Sequence, residues 1–178
     1  LHPTTFEQNW TPTSLEQNFA TQLAQFRAAF PSLPSPSSSR THAIVWSDYS
    51  TQPQVELNHR IRLDENYYYW PGTWVQDRPG LFTGSGMPMR FATADGNTID
   101  VYQAATQMTD ESGQTYPKNI NTLLDNALGG LGYYGAFTAN MHTDTASSPG
   151  SASIVAAAQA RGVPVVSGRQ MLAWSERW

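Results

Sequence analysis

The chain has 178 residues, of which 13% are charged, and its formal net charge is −4. This length suits a single domain, residues 1–178, and the lack of a basic surplus argues against a nucleic-acid partner. The sequence contains no cysteine, which excludes disulfides and thiolate metal sites. Because no apolar run approaches the ~20 residues that a bilayer requires, we expect no membrane span.

The chain begins at Leu1 and opens without a targeting signal, so we expect an N-terminal truncation that removes one or more strands. Aromatic residues make up 12% of the chain, and many of its polar residues are uncharged. This composition suits an exported protein that handles neutral polymers such as glycans. We therefore predict a secreted or extracellular bacterial protein, and leave its oligomeric state open.

The first predicted element is an amphipathic helix. Thr13 and Glu16 have the spacing of a capping box. Apolar residues then recur every three or four positions, at Leu15, Phe19, Leu23, Phe26 and Phe30. Pro31 ends the helix, and the proline- and serine-rich residues 31–39 predict a stiff polar connection that cannot be helical.

The middle of the chain predicts strands and a long loop. Residues 41–46 and 66–70 are rich in β-branched and aromatic side chains, which favours strands. The glycine- and proline-rich residues 71–88 predict a loop of the length that is usually functional. Residues 91–93 and 98–103 flank a four-residue turn and predict a hairpin.

The last third predicts alternating helices and strands. We expect a helix over residues 120–128, a strand over 136–144, a helix over 151–161, a strand over 163–167 and a short helix from Arg169. Alternation of this kind is typical of an α/β protein whose mostly parallel sheet, open or closed into a barrel, is covered by outer helices.

The predicted strand over residues 136–144 ends at His142 and Asp144. Catalytic groups collect at the carboxyl ends of parallel strands, and an imidazole, whose ordinary pKa is near 6.5, suits a proton donor to a leaving group. The carboxylate that orients it could be Asp144, Asp100 or Asp64. The alternatives are a structural histidine, and carboxylates that serve as cap, hairpin or loop residues.

His2, His42 and His142 each lie at the edge of an apolar, strand-like segment and could converge on a divalent metal, most readily zinc. Such a metal would activate water for hydrolysis. The alternative is that the histidines are spread out and structural.

A sugar-binding cleft is the third candidate feature. Arg40 and the aromatic residues Trp46, Trp70 and Trp74 could line it, since flat rings stack on sugar faces. Core packing is the alternative for the aromatic residues.

Four segments, in chain order, resemble motifs of the polysaccharide deacetylase (NodB-homology) family, and more specifically of its peptidoglycan-deacetylase-like branch. Leu1-His2-Pro3 is similar to the metal-binding second motif, and Arg40-Thr41-His42 to the arginine-bearing third motif. Residues 99–103, with Asp100, are similar to a strand that ends in the substrate groove. Asn140-Met141-His142 is similar to the last motif, whose histidine acts as general acid.

The resemblance implies a deformed β/α barrel, incomplete at its N-terminus, that removes N-acetyl or O-acetyl groups from a polysaccharide with a divalent metal. It implies metal binding by His2 and a proton donated by His142. Phe6 stands where the motif has its second histidine, so His42 takes that place. Arg40 would orient a carboxylate from a pair of aspartates expected before Leu1.

Two other functions stay open from the sequence. A metal-independent glycoside hydrolase would use two carboxylates, such as Asp100 and Asp144, about 5 to 9.5 Å apart. A non-catalytic glycan-binding module would keep the fold without the site.

Overall fold

The protein is described by a computed structural model that covers residues 1–4, 11–42, 48–66, 73, 76–81, 83–144 and 146–177. It forms two compact units. Unit 1 comprises Leu1–Asn66, Met89–Gln103 and Gly168–Trp178, and unit 2 comprises Tyr67–Pro88 and Ala104–Ser167. The predicted strands over 41–46 and 66–70 lie mostly outside the described residues, as do Trp46, Trp70 and Trp74.

The described residues contain five helices and six strands. The helices are α1 (Pro12–Ala29), α2 (Thr51–Asn58), α3 (Lys118–Leu128), α4 (Pro149–Ala160) and α5 (Gly168–Ser175). The strands are β1 (Ser38–Ser39), β2 (Leu63–Asp64), β3 (Met89–Ala92), β4 (Thr98–Gln103), β5 (Thr106–Thr109) and β6 (Thr138–Asn140). A mixed α/β fold with mostly parallel pairing is confirmed, and the described strands form two open sheets.

The capping box of the first helix lies two residues before the predicted one. Thr11 is the N-cap, since its hydroxyl accepts from the Ser14 amide at 3.2 Å, while the Ser14 hydroxyl accepts from the Thr11 amide at 2.9 Å. The box predicted at Thr13 and Glu16 is therefore wrong. Pro12 explains the difference, because proline fits the first helical position, where no amide hydrogen is needed.

The sheet of unit 1 has the strand order β1-β2-β4-β3. β1, β2 and β4 are parallel, with Ser38 opposite Leu63 and Leu63 opposite Tyr102. β3 and β4 form the predicted hairpin. Two of these strands are only two residues long, and β1 lies at the end of the proline- and serine-rich connection, in which no helix forms.

The core of unit 1 is the contact between α1 and α2. Leu15 and Phe19 on α1 are fully buried and pack against Val55 of α2 and against Ile61. Burial of a side chain of this size contributes about 1.5 to 3 kcal/mol. This packing fixes α2, which carries one of the acidic groups described below.

Unit 2 pairs β5 with β6 in parallel and packs α3 and α4 against them. The helices and β6 confirm predicted elements, although β6 is only half-buried rather than buried. The strand predicted over residues 163–167 does not form: Val165 and Val166 are 57% and 44% exposed. Pro164 lacks the amide hydrogen that a central strand would donate.

No helix in the described part of the chain is both long enough and apolar enough to cross a membrane.

Candidate functional site

In unit 2 an aspartate and a histidine meet where the parallel strands β5 and β6 end. Asp110 directly follows β5, and His142 lies two residues after β6. The His142 backbone amide donates to Asp110 Oδ2 at 3.0 Å, and the imidazole Nδ1 lies 2.8 Å from Asp110 Oδ1. Because a carboxylate can only accept, Nδ1 carries the hydrogen. We call Asp110 and His142 the dyad.

The two hydrogen bonds fix both the ring plane and the tautomer of His142, and Nε2 is the ring nitrogen that does not contact Asp110. The side chain of His142 is 24% exposed, so it can be reached from solvent. Met141, between β6 and His142, packs on the core of unit 2 and anchors the strand end. Glu111 Oε1 lies 3.6 Å from Nε2, outside hydrogen-bond distance but close enough for charge attraction.

The loop that carries Asp110 is braced by its own side chains. Gln114 accepts from the Thr109 amide at 2.8 Å and donates to the Gln107 carbonyl at 2.7 Å. The hydroxyls of Thr109 and Ser112 lie 2.7 Å apart. A loop held in this way keeps the carboxylate of Asp110 in place, as preorganised catalysis requires.

Electrostatics favours a charged Asp110. Burial alone would raise the pKa of Asp110, but the hydrogen bonds from the His142 ring and backbone outweigh it and lower that pKa. Asp110 is therefore an anion at neutral pH, and its charge favours the protonated form of the neighbouring imidazole.

None of the three carboxylates predicted to orient His142 is the one found beside it. Asp144 is exposed, Asp64 is fully buried in unit 1, and Asp100 pairs with Arg62 and Arg90 at 2.7 and 3.4 Å. Asp110 was missed because β5 was not predicted. The signal in the sequence was a short run, Thr106 to Thr109, followed directly by two acids.

In unit 1 the two predicted metal ligands lie side by side. The Arg40 amide donates to the Leu1 carbonyl at 3.0 Å and the His42 amide to the Pro3 carbonyl at 2.7 Å, so the first residues run parallel to residues 40–42. As a result, His2 Nε2 lies 3.4 Å from His42 Nδ1, with the rings edge to face. We call His2 and His42 the imidazole pair.

The spacing of the imidazole pair fits two ligands of one metal ion. With metal–nitrogen distances near 2.0 to 2.1 Å, two ligands of a tetrahedral zinc have nitrogens about 3.3 to 3.4 Å apart. The same spacing fits a weak hydrogen bond between neutral rings. Across the described residues, no group of three or more histidine, aspartate or glutamate side chains is arranged to hold a metal. The pair would thus supply two ligands.

Arg40, the predicted orienting residue, directly follows β1 and is only 7% exposed. Two buried acids lie on other elements of unit 1. Glu56 on α2 and Asp64 at the end of β2 are both fully buried. Burial raises the pKa of Glu56 well above its usual range, and the negative charge of Asp64 adds to the effect. Burial raises the pKa of Asp64 to about 6. We call Glu56 and Asp64 the acid pair.

The acid pair is tied to the segment that carries Arg40 and His42. Asn66 donates to Asp64 through its backbone at 2.7 Å and its side chain at 2.9 Å, and its side-chain oxygen accepts from the Thr41 amide. Thr41 lies between Arg40 and His42, so these hydrogen bonds hold in place the backbone that carries both residues. Sequence reasoning missed Glu56 because α2 is polar and was not predicted.

The remaining predicted residues, Trp46, Trp70 and Trp74, lie outside the described residues. The fourth histidine of the chain, His59, pairs with Glu16 at 2.7 Å.

Comparison with known proteins gives no relative: no family model matches the chain, and no curated protein or solved structure matches it. Function must therefore be inferred from the site.

Proposed function

We propose that the protein is a hydrolase that removes an acyl group from a glycan, with His142 as the proton donor to the leaving group and Asp110 as its positioning residue. The observation that carries this proposal is the two-point hold of Asp110 on His142 at the ends of β5 and β6. A general acid needs a ring held in one orientation and one tautomer, and this arrangement provides both.

Four details of the proposed function rest on the resemblance of four segments to polysaccharide deacetylases. They are the acetyl group, a polysaccharide substrate, export from a bacterial cell, and a deformed β/α barrel. The imidazole pair supports a metal requirement, since its spacing fits a shared ion.

A divalent metal, most readily zinc, would supply activated water and polarise the acyl carbonyl when bound. His2 and His42 would hold it. Arg40 would orient a carboxylate, and its buried position after β1 would keep the guanidinium rigid. His142 would give its proton from Nε2 to the departing amine or alcohol, while Asp110 stabilises the ring that carries that proton.

The test is release of acetate from a chitooligosaccharide and from peptidoglycan by the purified protein with added zinc or cobalt. We expect His142→Ala to lower kcat by about 10² to 10⁴-fold and to leave metal uptake unchanged. His42→Ala should reduce metal uptake. The matched control is His59→Gln, whose imidazole pairs with Glu16 on α1 and should leave kcat unchanged.

Three outcomes would contradict the proposal or parts of it. Acetate release that is insensitive to His142→Ala would exclude the dyad as the proton source. Cleavage of the polysaccharide chain that survives chelation of the metal would favour the metal-independent glycoside hydrolase. Affinity for a polysaccharide without turnover would indicate a binding module instead.

A further inference from the structure

A cavity of about 590 Å³ in unit 1 lies at the amino ends of β1 and β2. Ser37 and Arg62, which directly precede these strands, line it. The imidazole pair lies beyond the carboxyl end of β1. Five residue-to-residue steps separate Ser37 from His42 and span about 16 Å when extended, so the cavity is separate from the imidazole pair.

The acidic groups of the cavity are already neutralised. Arg62 pairs with Asp100 at 2.7 Å and with Glu176 at 3.0 Å, and its Nε donates to the Asp100 carbonyl at 2.7 Å. Arg90 also approaches Asp100, at 3.4 Å. The guanidinium of Arg62 is thus fully engaged.

Two further arginines line the cavity without a carboxylate of their own. Within the described residues, neither Arg60 nor Arg169 forms an ion pair, and Arg169 donates only to the Ser35 carbonyl at 3.4 Å. The cavity therefore has an excess of positive charge in a chain whose net charge is −4. Its remaining wall includes the apolar side chains of Leu57 and Leu172.

The backbone of Arg60 has a conformation that glycine adopts more readily. Its φ is +61°, at the end of α2, where the Arg60 amide donates to the Leu57 carbonyl and the Ile61 amide to the Glu56 carbonyl. Left-handed residues at helix ends are usually glycine, because other side chains are strained there. An arginine thus lines a cationic cavity from a backbone position that favours glycine.

We propose that this cavity binds a small molecule bearing a carboxylate or phosphate group, with Arg60 and Arg169 on the anion and the apolar wall against its uncharged part. Guanidinium groups suit both anions because they offer paired donors. This inference goes beyond the proposed hydrolase, since none of the groups it uses belongs to the dyad or to the imidazole pair.

The experiment is isothermal titration calorimetry of the whole protein with inorganic phosphate, with glucuronate and, as the neutral control, with glucose. We expect saturable binding of at least one anion and none of glucose. Binding of phosphate alone would assign a phosphate ligand, and binding of glucuronate alone a carboxylate ligand. Each of Arg60→Gly and Arg169→Gln should weaken binding by about tenfold or more, which corresponds to about 1.4 kcal/mol.

Arg60→Gly should weaken binding without destabilising the fold, because glycine adopts the left-handed backbone conformation without strain. The melting temperature of this variant should therefore stay the same or rise. Arg27→Gln removes the same charge from the end of α1, outside the cavity, and should leave affinity unchanged. The proposal is overturned if neither anion binds saturably, if both cavity variants bind like the wild type, or if Arg27→Gln weakens binding equally.

Discussion

Replacing Glu56 by glutamine tests whether the acid pair of unit 1 holds a proton. Glu56 Oε1 accepts from the Ser39 hydroxyl and, at 3.0 Å, from the Gln52 amide, while Oε2 is buried. Two carboxyl groups in hydrogen-bond contact require a shared proton, and Glu56 is the group whose pKa is raised most by burial and by the charge of Asp64. Glutamine keeps the acceptor and donates from its amide where the acid would donate.

The sign of the effect follows from linkage. A carboxyl whose pKa is raised in the folded protein stabilises the fold most at low pH, and that contribution is lost as pH rises through the folded pKa. For Asp64 this stabilisation is lost between its ordinary pKa of 3.8 and its raised pKa of about 6, and the loss amounts to about 3 kcal/mol. For Glu56 the loss begins at its ordinary pKa of 4.5 and continues to higher pH. Over its range, each of the two groups reduces the free energy of unfolding by up to about 1.4 kcal/mol per pH unit.

The assay is urea unfolding at several pH values between 5 and 8, followed by circular dichroism. We expect the free energy of unfolding of the wild type to fall more steeply with rising pH than that of Glu56→Gln, so that the variant gains stability relative to the wild type. Asp95→Asn, in the exposed hairpin turn, has its titration below this range and should leave the slope unchanged. Equal slopes for the wild type and Glu56→Gln, or a variant less stable at every pH, would refute a protonated Glu56.

Three other predictions concern the two units. Asp110→Asn should move the alkaline limb of the kcat profile to lower pH, because the negative charge of Asp110, whose pKa is lowered by its hydrogen bonds with His142, stabilises the protonated ring and a neutral amide would not; an unmoved limb would show that the pair is not coupled. Gly86→Ala should lower the melting temperature far more than Gly96→Ala, since both have positive φ but only at Gly86 would a Cβ meet a backbone oxygen, at 2.2 Å; equal shifts would argue against that close approach. Zinc should raise the melting temperature of the wild type but not that of His42→Ala, and stabilisation of both would place the metal elsewhere.

The elements that local signals specify could be predicted from the sequence. The helices α1, α3 and α4 have apolar positions at helical spacing or alanine-rich runs with clear ends, and the β3–β4 hairpin has a turn-forming loop. Helix α2 could not, because its buried positions include Gln52 and Glu56 and give no apolar stripe. The strands β1 and β2 have two residues each and exist only through pairing with distant segments.

Some residues of the candidate site could likewise be predicted from the sequence, and others could not. His2, His42 and His142 were predicted from their positions at the edges of apolar segments, and the structure brings the first two together. Asp110 could not be predicted as the partner of His142, because 32 positions separate them and the parallel pairing of β5 with β6 joins them. Asp144, only two residues from His142, was favoured by proximity along the chain alone.

The most direct test of the dyad is a double-mutant cycle on acetate release with His142→Ala, Asp110→Asn and the two combined. If Asp110 acts through His142, Asp110→Asn lowers kcat in the wild-type protein and has no further effect once the imidazole is gone. An equal drop in both backgrounds, or no drop in either, would contradict a carboxylate-oriented proton donor at the ends of β5 and β6.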